Sequence, residues 1–333
     1  MNVIVTAVGS GLGQSIMKAL QNTEYGVIGI NSELLGVGLY AAQKSYLGPY
    51  ANDPDFVDKL IEICAKENCR VIFPGHDFEL IPFSKNIEKF KKNGVLPIVS
   101  DSKVVEICGD KLETVNFLKK NNFPTPQTYK LEDYSFELDF PVILKKKKQG
   151  YASFGEFLVK DRNEFDTLSS SVDVNNYVVQ EYIDGEEYTC GTVSFDNHCI
   201  GTILMKRQIR FGATWQAFVV KDQKLSNFVE KVINSLKPFG PCNVQLRLRD
   251  NVPYIFDINA RCSGTTSSRA VAGFNEPKMM CDYVLKDVGN PTYKIKEIVF
   301  LRYYKDIAVS YKKIEEMSST GHVQNKRVRL GKE

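Results

Sequence analysis

The sequence predicts a parallel α/β domain followed by α+β units. Two observations carry this. Over the first hundred residues short apolar runs alternate with helical periodicity, the rhythm of strands joined by crossover helices. From about Lys111 the rhythm changes to strands paired through tight turns, with occasional helices. At 333 residues the chain is longer than one hydrophobic core usually serves, so two or three packed units are expected.

In the first part, Val3-Ile4-Val5 reads as a buried parallel strand, and a glycine turn follows. Leu12, Ile16, Met17 and Leu20 then recur at helical spacing. Val27 to Ile30, Val71 to Phe73 and Val95 to Val99 read as further strands. Asp53-Pro54 has the form of a helix start, with a capping residue and then proline at the first helical position. Phe56, Val57, Leu60, Ile61 and Cys64 give that helix its apolar face.

In the second part, Leu112 to Lys120 reads as a helix running into a proline-broken segment, FPTPQTY. Pro141 to Lys145, Glu156 to Val159 and Val178 to Ile183 read as strands, and Asn163 to Ser170 as a helix. Tyr188–Phe195 pairs with Ile200–Met205 around Asp196-Asn197, and Val244–Leu248 with Tyr254–Ile258 around Asp250-Asn251. Between them lies an amphipathic helix from about Asp222 to Leu236.

Composition excludes several classes. Hydrophobic residues make up 43% and charged residues 25%, an ordinary globular balance. A net charge of +3 is too small to argue for nucleic acid. The eight cysteines form no CxxC pair, so a zinc ribbon or thioredoxin-like site is not expected. The start has no signal-peptide pattern and no apolar run reaches the roughly 18 residues of a membrane span. The expectation is a reduced, cytoplasmic protein without membrane or nucleic-acid partners. Lys326, Arg327, Arg329 and Lys332 read as a solvated basic tail.

The glycine turn, Gly9-Ser-Gly11-Leu-Gly13-Gln14, stands where a dinucleotide fingerprint would stand, but Gln14 replaces the last glycine. No acid follows the second strand, which ends Ile30-Asn31-Ser32. A nicotinamide site is disfavoured; the turn's N–H groups remain able to hold a carboxylate or phosphate. Lys145, at a strand end before Lys146-Lys-Lys-Gln-Gly150-Tyr-Ala-Ser153-Phe-Gly155, can neutralise phosphate oxygens, and a lysine-rich solvated turn is the alternative. Asp257 and Asn259 lie two apart on one strand and share a face, Gln245 can face them across the hairpin, and Arg261 follows. Three oxygen donors suit Mg²⁺. A cation and a guanidinium aimed at one point suit phosphoryl transfer.

Taken in order, Asp110-Lys111, the Phe-Pro-x-x-x-Lys145 strand, Gln180-Glu181-Tyr182-Ile183-Asp-Gly-x-Glu187 and Asp257-x-Asn259-x-Arg261-x-Ser-Gly resemble the ATP-grasp superfamily. In particular they resemble stand-alone proteins similar to one half of the carbamoyl-phosphate synthase large subunit, and the likeness runs from the glycine turn to about Leu285. The resemblance implies a Rossmann-like pre-ATP-grasp domain over 1–109. An ATP-grasp domain over 110–300 would follow, with a mobile lid at about 125–179, and an extension over 301–333. It implies that Lys111, Lys145 and Ser153 in the lid's phosphate loop contact ATP, and that Glu181, Tyr182 and Ile183 read adenine. Glu187 would bind ribose, Gln245, Asp257 and Asn259 would hold Mg²⁺ (or Mn²⁺), and Arg261 with Lys145 would act in catalysis. Arg207 and Arg210, in a basic glycine-containing segment, and Ser263, Gly264 and Thr265 are candidates for substrate contact; for the former a solvated loop anchored by Trp215 is the alternative.

The implied reaction joins a small-molecule carboxylate to an amine through an acyl phosphate, releasing ADP and phosphate, with a homodimer as the candidate assembly. Carbamoyl-phosphate-type chemistry on bicarbonate or carbamate, and a non-catalytic ATP-binding regulator, are the alternatives. The sequence departs from the family pattern at Asp257, where glutamate is usual, at Ala260, where proline is usual, and at Lys146, which replaces the proline after the lid lysine. Gln245 replaces a commoner acid and matches the carbamoyl-phosphate synthase type.

Overall fold

The computed structural model describes residues 1–148, 155–210 and 212–325. The first sheet contains β1 (Asn2–Val5), β2 (Gly26–Asn31), β3 (Lys44–Leu47), β4 (Val71–Phe73) and β5 (Leu96–Pro97) in the order β3-β2-β1-β4-β5, all parallel. Val3, Ile4 and Val5 are fully buried because helices cover both faces. The helix Gly11–Leu20 starts at Ser10, whose hydroxyl accepts from Gly13 N. A Cβ on Gly13 would lie 2.4 Å from the carbonyl oxygen of Ala7, so only glycine lets this helix close on the strand end.

The second sheet is small and antiparallel. It contains β6 (Thr128–Lys130), β7 (Val142–Lys146), β8 (Glu156–Val159) and β9 (Tyr177–Glu181), in the order β6-β9-β7-β8. Its own core gathers Val142, Leu144, Val159, Phe165 and Val179. The third is a large antiparallel sheet. Its strands are β10 (Glu186–Phe195), β11 (His198–Arg210), β12 (Ala213–Val220), β13 (Gly240–Arg249), β14 (Val252–Asn259) and β15 (Val299–Leu301), in the order β14-β13-β10-β11-β12-β15. Both expected turns are tight: Asp196-Asn197 and Asp250-Asn251 all have positive φ, the backbone that two-residue hairpins require. The helix Gln223–Leu236 is capped by Asp222 and packs its apolar face on this sheet.

Four differences from the sequence reading have local causes. Asp53 does not cap a helix; its carboxylate accepts from Tyr50 N in a turn, and the helix starts at Phe56. The proline-broken segment ends in a short strand, β6, because Thr128 to Lys130 pair with β9. Arg207 and Arg210 stand on β11, not in a solvated loop, and Thr214 and Trp215 on β12. The last described strand, β16 (His322–Gln324), pairs antiparallel with β3, so the C-terminal segment returns to the first sheet. The basic tail Lys326, Arg327, Arg329 and Lys332 lies outside the described residues.

One hydrophobic cluster joins the first and third sheets, running from Val5, Leu12 and Ile16 to Phe195, Met205, Phe274 and Met280. The C-terminal ends of β1 and β4, where ligands of open parallel sheets bind, therefore face the large antiparallel sheet. Among the described residues no helix is long and apolar enough to cross a membrane.

Candidate active site

A cavity of about 220 Å³ opens between these elements. Its lining includes Lys111, Lys145, Asp257, Asn259, Arg261 and Arg302.

Its floor is the β13–β14 hairpin, and one irregularity sets the geometry. From the Asp250-Asn251 turn the ladder runs Arg249–Val252 to Leu246–Ile255, which would next put Phe256 opposite Gln245. A bulge there pairs Gln245 with Asp257 and Asn243 with Asn259. The bulge brings three polar side chains to one face. The carbonyl of Phe256 accepts from Lys145 Nζ at 3.2 Å.

Lys145 is 5% exposed, and its ammonium also donates to Gln180 Oε1 at 2.8 Å. Burial, with the positive charge of Lys111 added, pushes its pKa down to about 8. Lys111, first residue of the helix Lys111–Lys120, pairs with Asp257 Oδ1. Asn259 donates to Asp257 Oδ2 at 2.8 Å. Burial alone would raise the Asp257 carboxyl; Lys111 and Lys145 overcome it and hold the group below its ordinary range. Arg261 donates through Nη2 to Asn259 Oδ1 at 3.2 Å and through Nε to Asp77 Oδ1 at 2.8 Å. A continuous polar chain therefore runs Lys111–Asp257–Asn259–Arg261–Asp77.

A second group lies beside it. Arg207 donates to Gln245 Oε1 at 2.9 Å and pairs with Glu187 at 2.7 Å, and Arg247 grips the other Glu187 oxygen at 2.7 Å. Arg247 also donates to the Tyr182 hydroxyl at 3.0 Å. Glu181 pairs with Arg249 at 2.9 Å and accepts from Gln127 N, which ties the base of the small sheet to the large one. Ile183 is buried at this junction.

Beneath the floor, Arg269 and Glu276 form a fully buried ion pair. Arg269 also donates to Thr189 and Asn243, two cavity-lining residues, and Gly191 leaves room for its guanidinium.

Most of the expected residues line the cavity; Glu181, Tyr182, Ile183 and Glu187 stand in the group beside it, and two others are placed in neither. Arg210 is exposed, over the Trp215 ring at 5.5 Å, and does not line the cavity. Ser153 lies outside the described residues, as does most of the expected phosphate loop. Ser263 and Thr265 line the cavity, but their hydroxyls bond one another at 2.7 Å, so Gly264 forms the exposed tip of that turn. Sequence reading missed Asp77, Arg247, Arg269 and Arg302. Asp77 alone carried a signal: it is an acid just past the C-terminal end of a parallel strand.

The donor set of Gln245, Asp257 and Asn259 offers one carboxylate and two carboxamide oxygens on one face, which fits Mg²⁺ shared with phosphates and water. Among the described residues no group of three His, Cys, Asp or Glu side chains could hold a metal. All eight cysteines are buried and free, which fits no thiolate site.

Residues 108–265 match the family model of the ATP-grasp domain, and residues 4–98 match that of the PylC-like N-terminal domain. The chain belongs to the ATP-grasp superfamily. It is thereby an enzyme of the ATP-grasp ligase class, with the Rossmann-like first sheet and paired antiparallel sheets that its sequence led one to expect. The D-alanine–D-alanine ligase of Bacillus anthracis is 26% identical over 184 residues, covering 49% of this chain and 60% of the ligase. The carbamoyl phosphate synthase large chain of Thermoplasma acidophilum is 24% identical over 274 residues, covering 73% of this chain and 26% of that protein. This ATP-grasp chain therefore spans less than two thirds of either relative. The N5-carboxyaminoimidazole synthetase of Staphylococcus aureus, crystallised with ADP, superposes with a TM-score of 0.69 at 15% identity, covering 88% of this chain and 79% of that one.

Proposed function

We propose that the chain is an ATP-dependent carboxylate–amine ligase. A carboxylate oxygen attacks the γ-phosphorus of ATP and ADP leaves. The amine nitrogen then attacks the acyl carbon, loses a proton and expels phosphate, leaving an amide. The observation that carries this reading is the chain Lys111–Asp257–Asn259–Arg261 along one wall of the cavity. Two anions must meet there, a phosphate and a carboxylate, and the wall supplies cations for both.

In this reading Lys111 and Lys145 hold phosphate oxygens, and Ser153 with them. Glu181, Tyr182 and Ile183 face adenine and Glu187 the ribose. Gln245, Asp257 and Asn259 hold Mg²⁺, or Mn²⁺ in its place. Bound there, the metal would neutralise phosphate charge as a Lewis acid. The protein's own cations occupy these donors: Lys111 on Asp257, Arg207 on Gln245 and Arg261 on Asn259. Nucleotide binding transfers Lys111 and Arg261 from protein oxygens to phosphate oxygens. Residues 1–109, 110–300 and 301–333 act as the three units, and 125–179 as a lid over ATP. The carboxylate enters near Ser263, Gly264 and Thr265, with Arg207 behind it. Similarity to a D-alanine–D-alanine ligase favours an amine acceptor.

The test is ADP release with Mg-ATP across a panel of carboxylic acids, each with and without amino acids. Release that needs both an acid and an amine supports the ligase. No acid-dependent release across the panel removes it. The similarity to a carbamoyl phosphate synthase large chain favours a second reading, with bicarbonate or carbamate as the acid. ADP release driven by bicarbonate alone would select that reading.

A further inference from the structure

Arg302 lines the cavity and has no part in the proposed mechanism. Arg302 follows β15, outside the matched domains, and is tied down by its own backbone N–H, which donates to the Trp215 carbonyl at 3.0 Å. Its guanidinium lines the cavity. Its one side-chain hydrogen bond among the described residues is a long one, 3.3 Å to the carbonyl of Gly264. No carboxylate lies within ion-pair distance of it among the described residues. Arg261 differs, because Asp77 neutralises it.

The surroundings sharpen the contrast. Lys18, on the helix Gly11–Leu20, has no acidic partner among the described residues either, and burial together with the charge of Arg302 lowers its pKa. Gly11 and Leu12, at the start of the same helix, line the cavity. Their N–H groups are the first two of the helix and have no intrahelical acceptor. This helix is held against the Gly264 turn's own helix by a hydrogen bond from Ser267 N to Ser15 Oγ at 2.9 Å. Arg302, with the like charge of Lys18 acting on it and the N–H groups of Gly11 and Leu12 on the same cavity, makes a place that an anion relieves.

We infer that Arg302 holds a second, non-reacting carboxylate of the substrate, so that the cavity selects acids with two anionic groups. The inference rests on the ligase reading. Arg261 belongs to the phosphate-binding chain, and the reacting carboxylate enters at the Ser263–Gly264–Thr265 turn that follows it. Arg302 bonds to Gly264 of that turn and takes the other carboxylate. A cavity of about 220 Å³ fits a small diacid.

Equilibrium dialysis of the full chain with labelled succinate and labelled propionate, at fixed Mg²⁺ and a non-hydrolysable ATP analogue, tests it. The wild-type chain should bind succinate about tenfold or more tightly than propionate, the scale of one charge-assisted guanidinium–carboxylate contact. Arg302→Ala should erase that difference and Arg302→Lys should keep part of it, with analogue affinity unchanged in both. Arg302 is partly exposed, so neither variant should misfold. Equal binding of the two acids by the wild type, or a succinate preference that survives in Arg302→Ala, overturns the inference. The ligase reading fails separately: if succinate binding depends on Arg302 but no acid drives ADP release, the anion site stands and the ligase does not.

Discussion

Arg261 reaches across 184 residues of sequence to donate to Asp77, Nε to Oδ1 at 2.8 Å. The pair joins the C-terminal edge of the parallel sheet to the floor of the cavity. Its consequence is that the first sheet aims the guanidinium to which the ligase reading gives a catalytic role. Asp77→Ala should lower kcat for ADP formation about tenfold or more, one misaligned charge-stabilising contact being worth that much. The KM for ATP should stay within about twofold. The melting temperature should fall modestly, since an unpaired, mostly buried arginine costs about 1–3 kcal/mol. Steady-state kinetics beside a thermal melt check this; an unchanged kcat would free Arg261 from Asp77.

Lys145 gives the site a pH dependence of definite sign. Its folded pKa, near 8, lies below the ordinary lysine value because of burial and the neighbouring Lys111 charge. Phosphates favour the protonated form. Below pH 8 the proton is already present; above it, ATP binding must take one up. Affinity for ATP should therefore be flat up to about pH 8 and then fall by roughly tenfold per pH unit. Lys145→Arg keeps its charge at all these values, so its profile should lack that fall. Dialysis with ATP from pH 7 to 9.5 at fixed free Mg²⁺ decides the matter. A wild-type profile that stays flat to pH 9.5 removes Lys145 from the phosphate contacts.

What the sequence revealed was what local pattern controls. Val3-Ile4-Val5, the Gly13 turn and both Asx hairpins follow from side-chain periodicity and backbone sterics within a few residues. Sharing of a face by Asp257 and Asn259 follows from the pleat. The bulge that brings Gln245 opposite Asp257 does not, because a bulge depends on what the strand packs against. Asp77 and Arg302 were illegible for a different reason. Each is ordinary in its own segment and becomes part of the site only through tertiary packing, Asp77 from the parallel sheet and Arg302 from the segment that returns past β12. The C-terminal strand β16 was hidden likewise: three residues of strand carry no periodic signal.

Glu187 is held by two arginines, at 2.7 Å each, so it cannot be tested cleanly by deletion. Glu187→Ala would leave Arg207 and Arg247 without their carboxylate and weaken the hairpin floor as well as the ribose contact. Glu187→Gln keeps the shape and one oxygen acceptor. Replacing the carboxylate should reduce ATP affinity by about 1–3 kcal/mol, with the amide variant at the lower end and the alanine variant at the upper. Isothermal titration with ATP and with 2′,3′-dideoxy-ATP separates the causes. Both nucleotides should bind the variants equally if the ribose hydroxyls are what Glu187 recognises. A wild-type chain that already fails to distinguish them would end that assignment.

Asp257 is where the reading is most exposed to test. It is the one formally charged member of the Gln245, Asp257, Asn259 set, and Lys111 and Lys145 keep it ionised far below neutral pH. Asp257→Asn preserves volume and the acceptor for Asn259 while removing the charge and the acceptor for Lys111. Lys111 then loses its partner, which by itself would strengthen phosphate binding, because the lysine no longer has to leave a carboxylate. The metal loses its anionic ligand, which acts the other way. These effects separate in the measurement. ATP binding without Mg²⁺ should be equal to the wild type or tighter. ADP formation at limiting Mg²⁺ should fall by about 100-fold or more, a barrier rise of about 3 kcal/mol. Raising Mg²⁺ should restore part of the rate, since mass action refills a weakened site. Turnover equal to wild type at limiting Mg²⁺ would leave the three oxygen donors without a metal to hold, and the ligase mechanism without its means of bringing two anions together.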